Sequence, residues 1–224
     1  MAMKIFKSIS AYFEYEPLLA YILVVSFLGV CEFLNSIISL FPIEVLFLIG
    51  VLRAYVAFKI VKYLKKTFPM IEQKEGQVKI NAGYKKAYKV AIIAYSVLFI
   101  VCSVDVASSA VSAICGLYAN VPLYLICLAL EYILDVVGIT CLFMAHLNSE
   151  TTFRIDLWWI ISNIVIILCS VDAFLSMLGI HEMTFGVTTF LFYVFITVFW
   201  SMRIMYAFRI QDEIALIVTK ETNG

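Results

Sequence analysis

The chain has 224 residues, 64% of them hydrophobic, and a mean hydropathy of +1.02. Soluble domains carry about 45–50% apolar residues, so the surplus exceeds what a buried core needs and points to a lipid bilayer as the solvent. Sixteen basic and 16 acidic residues balance to a formal net charge of zero, which gives no basis for nucleic-acid binding.

Lys4 and Lys7 precede the first apolar run as they would in a signal peptide, but no small-residue cleavage site follows and Glu32 interrupts the run. An uncleaved anchor is expected. About 20 apolar residues span a bilayer core, and six segments meet that length. The first runs over 17–41, opened by Pro17, whose missing N–H is not needed in a first helical turn. Phe41-Pro42 turns the chain into the second, 43–64. Residues 65–87, with Lys65, Lys66, Lys74, Lys79, Lys85 and Lys86 and the breakers Pro69, Gly76 and Gly83, read as a cytoplasmic Lys-rich loop with frayed helix ends. It is expected to set topology and to touch anionic lipid headgroups, the alternative being a docking site for an acidic cytoplasmic partner.

The third segment spans 88–115 and the fourth 121–146, opened by Pro122. The fifth, 157–179, begins with Trp158 and Trp159 where an interfacial aromatic belt belongs. The sixth, 184–208, is rich in Phe, Tyr and Trp and is expected to face lipid or a membrane partner, and a polar tail follows. Basic residues outside the segments fall at the N-terminus, in the second and fourth links and in the tail. The positive-inside rule then puts both termini in the cytoplasm. The expected fold is all-α: a single integral membrane domain, a bundle of six transmembrane helices.

Val101-Cys-Ser-Val-Asp105 returns as Leu168-Cys-Ser-Val-Asp172, with a looser version at Val30-Cys-Glu32. A serine follows each acid four residues later, giving Glu32/Ser36, Asp105/Ser109 and Asp172/Ser176. Arg53–Ile60 also resembles Arg203–Ile210. Together these suggest three pseudo-repeated helical hairpins, the alternative being chance similarity between Leu/Ile/Val/Phe-rich segments.

Counting inward from the outer ends, Glu32, Arg53, Asp105, Glu131 and Asp172 fall 8–11 residues deep, about 12–16 Å at the helical rise. Asp135 follows Glu131 one turn on, on the same face, and Arg203 lies nearer the cytoplasm. A lipid-facing charge at that depth costs about 2.5–3.5 kcal/mol on insertion scales, so these groups are expected to face the bundle interior. There the acids exceed the arginines, which calls for protons or cations. The small residues of the third segment, from Ser103 to Ala113, predict a central place for it.

The six cysteines lie in apolar runs without a C-x-x-C pair and are expected to be free thiols. Phosphate-loop, nucleophile-elbow and H-E-x-x-H motifs are missing. The expectation is therefore a non-enzymatic, cofactor-free transporter or channel-like protein for a cation or proton. The competing expectation is a non-catalytic subunit or assembly factor of a larger membrane complex, with a membrane-protein partner or a second copy.

Overall fold

The computed structural model describes residues 16–38, 43–73, 83–115, 121–146, 157–168 and 187–219. These form six helices, and no strand occurs among the described residues. They are α1 (Pro17–Ile38), α2 (Ile43–Gln73), α3 (Tyr84–Cys115), α4 (Val121–His146), α5 (Leu157–Leu168) and α6 (Val187–Thr219). The fold is therefore all-α. Tyr84–Val111, within α3, is long and apolar enough to cross a membrane alone, whereas Pro17–Leu28 and Leu157–Leu168 are apolar but shorter.

The chain divides into two compact units. The first comprises Met1–His146 with Ala207–Gly224, the second Leu147–Tyr206. In the first unit, α1 packs on α2, α2 on α3 and α3 on α4. Helix α1 starts at Pro17, and the carbonyl of Glu16 accepts the Ala20 N–H at 2.9 Å. Helix α3 starts from Gly83, whose carbonyl accepts the N–H groups of Lys86 and Ala87, both at 3.1 Å; glycine is among the residues tolerated at such a cap.

The antiparallel match between α2 and α3 runs nearly their whole length. Gly50 faces Val106, Arg53 meets Asp105, the Phe58 and Phe99 rings lie 5.5 Å apart, Phe68 stacks on Tyr88 at 5.6 Å, and Glu72 pairs with Lys85 at 3.2 Å. Each step forward on α2 thus matches a step back on α3. Helix α4 approaches α3 closely at Gly138, where a Cβ would sit 2.6 Å from Cε2 of Tyr95. Only a residue without a side chain lets the buried Tyr95 ring lie there.

Several sequence expectations change. Residues 65–73, expected in the Lys-rich loop, are the last turns of α2, and 84–87 are the first turn of α3. Pro69 therefore lies inside a helix, although an interior proline costs about 3 kcal/mol. Packing outweighs that cost: Leu64, Thr67 and Ile71 are buried against the hairpin. Pro69 itself is on the exposed side, where the Lys65 carbonyl it leaves without a helical partner can meet solvent. The polar tail expected after residue 208 is also helical, to Thr219.

Among the described side chains from Ser103 to Ala113 none of the small residues is fully buried, although Ala91 and Ala94 nearer the start of α3 are. Ala107 and Ser109 are exposed, whereas Tyr88, Ala91, Tyr95, Leu98 and Cys102 are buried. Tyr88 and Tyr95 together with Ala91 and Ala94 make the buried face, and the stretch from Ser103 lies nearer the C-terminal end of α3.

In the second unit, Trp158 is exposed and Trp159 is buried. It stacks on Phe199 at 5.1 Å and packs against Tyr206 at 5.0 Å. Phe199 and Tyr206 of α6 therefore pack within this unit, and Trp200 is half-buried. The guanidinium of Arg203 lies 4.7 Å from the Trp200 ring centroid and 6.0 Å from that of Phe199. Cys31, Cys102 and Cys127 are buried free thiols, and Cys141 is a half-buried one.

Candidate functional site: a buried charge cluster in the first unit

Three helices bring charge to one place. Arg53 reaches from α2 between two acids: its Nη2 donates to Asp105 Oδ2 on α3 at 2.5 Å, and its Nη1 meets Glu131 Oε2 on α4 at 2.9 Å. All three are buried, with relative exposures of 4%, 8% and 6%. The planar fork of a guanidinium can serve two carboxylates at once through separate nitrogens. The hairpin register makes this possible by placing Arg53 level with Asp105, while the antiparallel α3/α4 pair sets Glu131 alongside. Arg53 Nε is buried without a hydrogen-bond partner among the described residues.

Asp135 is also buried, at 4% exposure, one helical turn beyond Glu131 on the same face of α4. Asp135 thus stands one turn along α4 from the Arg53–Glu131 pair. Removing charges from water costs several kcal/mol per ion, and only close pairing offsets it. Arg53 provides that pairing for Asp105 and Glu131. No group of three or more metal-ligating side chains occurs among the described residues.

Helix α1 contributes a residue that charge counting does not detect. Tyr21 on α1 and Glu131 on α4 are both near neighbours of the Cys102 thiol on α3. Tyr21 is 2% exposed and Cys102 fully buried, so a polar chain from α1 to α4 runs beside the ion pairs. A neutral tyrosine in an apolar run carries no sequence signal, and Cys102 reads as a small hydrophobe.

The other expected site residues separate. Glu32 and Ser36 belong to α1, but their side chains lie outside the described residues, as do Asp172 and Ser176 entirely. Ser109 is exposed and so stands away from the cluster despite following Asp105 by one turn. Arg203 is buried in the second unit over the Trp200 ring. The described site is thus Arg53, Asp105, Glu131 and Asp135, joined by Tyr21 and Cys102. No protein family's profile, no curated protein and no solved structure matches the chain.

Proposed function

We propose that this chain is a multi-pass integral membrane protein, a bundle of six transmembrane helices with both termini cytoplasmic, and that it moves a proton or cation through an acid-lined interior. Its outward faces support the membrane part. Val90, Ile93, Val97, Ile100, Val104, Val111 and Ile114 form one exposed apolar stripe along α3; Leu48, Val51, Tyr55 and Phe58 do so on α2, and Ile126, Leu130, Ile133 and Val137 on α4. Soluble monomers rarely expose contiguous apolar surface on that scale.

The observation that carries the transport part is that two buried carboxylates, Asp105 and Glu131, share the single guanidinium of Arg53. Two acids are held by one guanidinium and a third stands a turn away. Within the Arg53–Asp105–Glu131 triad two carboxylates against one guanidinium leave a formal charge of −1, and an apolar interior favours balancing it with a proton or a cation. A proton or cation taken up there competes with Arg53 for the same carboxylate oxygens, so uptake and loosening of the fork are linked. Asp105, Glu131 and Asp135 are the acceptors and Arg53 the counter-charge. No catalytic step and no cofactor enter this reading.

The test is flux into liposomes holding the purified chain alone. Wild type is expected to carry protons or a monovalent cation, and Asp105→Asn and Glu131→Gln to lose most of that flux. A folded wild type that carries neither sinks the transport reading.

The second reading is a non-catalytic subunit or assembly factor of a membrane complex. The geometry that favours it is the closed form of the fork: paired on both sides, it serves equally as an interhelical lock, and the exposed stripes suit a membrane partner or a second copy. A partner that co-purifies in fixed stoichiometry, with a chain inactive alone, would support it.

A further inference from the structure

We infer that the inner end of the α2/α3 hairpin is a binding surface for anionic phospholipid headgroups, an inference that rests on the membrane reading above. The exposed residues of α2 run Val51, Tyr55, Phe58 and then Lys62, Lys65 and Lys66. Those of α3, read toward its N-terminus, run Ile100, Ile93, Val90 and then Lys89 and Lys86. Each apolar stripe thus turns basic on its own face, without rotating around the helix.

The register puts both changes at the same end. Phe68 stacks on Tyr88 and Glu72 pairs with Lys85, so Lys65 and Lys66 stand a few residues from the level of Lys89. The stripe from Ile114 to Val90 covers 24 residues of rise, about 36 Å, slightly more than a hydrocarbon core of about 30 Å. The lysines therefore begin where headgroups begin. Lys62, the deepest of them, can lay its stem along the apolar face and lift its ammonium outward.

Among the described residues of this stretch Glu72 is the exposed acid, and Lys85 holds it at 3.2 Å. Lys62, Lys65, Lys66, Lys86 and Lys89 are left as a positive face on two packed helices. On a flexible loop these charges would attract anions diffusely. On a braced hairpin they keep fixed spacings, which suits retention of phosphate-bearing lipid at one place. An anionic leaflet fits better than an acidic protein because the basic face continues the apolar stripes without a break, and a lipid offers acyl chain and phosphate in that order.

The experiment reconstitutes the full chain into nanodiscs of phosphatidylcholine alone or mixed with phosphatidylglycerol. Co-retained lipid is then quantified by native mass spectrometry. Wild type is expected to enrich phosphatidylglycerol over phosphatidylcholine. Each lysine changed to glutamine among the five is expected to lower that enrichment, by up to about fivefold for a contribution near 1 kcal/mol. The five Lys→Arg changes together are expected to preserve it, and Arg209→Gln, on the exposed side of α6, to leave it unchanged.

Equal retention of both lipids by wild type overturns the inference. So does enrichment that survives the five Lys→Gln changes, or an acidic soluble protein bound through these lysines while lipid selectivity is absent. Wild type recovered in the aqueous phase without detergent is a different result, because it removes the membrane reading itself.

Discussion

The side-chain oxygen of Gln211 accepts the backbone N–H of Leu19 at 3.2 Å, across 192 residues of chain. Leu19 lies in the first turn of α1, where helical N–H groups have no partner within the helix. Leu18, Leu19, Ala20, Ile210 and Ile214 are buried around it, so water cannot replace the glutamine. The C-terminal part of α6 thus caps the start of α1 within the first unit.

Gln211→Leu should therefore destabilise the first unit by about 1–3 kcal/mol, the cost of a buried donor left without an acceptor. Gln211→Glu, which keeps an acceptor, should cost less. Thermal unfolding of the purified protein measures both, and equal midpoints for Gln211→Leu and wild type would contradict the cap.

Gly138→Ala should be destabilising by about 1–3 kcal/mol, since its Cβ would overlap the Tyr95 ring and a packed interior gives way only at that kind of cost. Tyr95→Leu in the same chain should recover part of the loss. The informative quantity is the coupling between the two changes; simple additivity would mean that the ring is not the obstacle.

Arg53→Met should be among the most damaging single changes, about 3–5 kcal/mol, because it leaves two buried carboxylates without their counter-charge. Adding Asp105→Leu and Glu131→Leu should restore much of that stability while abolishing any transport. Arg53→Lys should rescue only partly, as a single ammonium cannot reproduce two separate N–H arms. Denaturation midpoints of the single and triple variants decide this, and a triple variant no more stable than Arg53→Met would count against the pairing.

Pro69→Ala should stabilise the inner end of α2, because it returns an N–H to the Lys65 carbonyl within a helix that already exists. The gain should fall below the roughly 3 kcal/mol of a full proline penalty, since the native helix has adapted to the ring. Slower amide exchange across residues 65–73 would report it. A loop in this region would show no such slowing.

The charge cluster was legible because it depends on few things. Arg53, Asp105 and Glu131 are level when depth is counted from the outer ends of adjacent antiparallel segments, and that count tolerates small errors at helix ends. Tyr21 was not legible, since an uncharged aromatic in an apolar run looks like any other. It stands eleven residues before Glu32, about 16 Å along α1, so the residue that α1 supplies to the described cluster comes from a different level than counting assigned.

The inner end of the hairpin was misread for the opposite reason. Lysines, Pro69 and two glycines are local signals of irregular chain, and they dominated residues 65–87. The burial of Leu64, Thr67, Ile71 and Tyr88 is a tertiary effect, and it carries helix through the proline at one side and starts it earlier at the other. Phe199 and Tyr206 of α6 show the same limit. Bulk around much of a helix suggests lipid contact until a partner such as Trp159 fills one side.

The α2/α3 hairpin also has a mechanical meaning. It is braced crosswise at Gly50–Val106, Phe58–Phe99, Phe68–Tyr88 and Glu72–Lys85, so its two rods cannot slide past one another without breaking several contacts together. A push or pull at the Glu72–Lys85 end is therefore delivered to the Arg53–Asp105 contact, about 28 Å up the axis, instead of being absorbed in a joint.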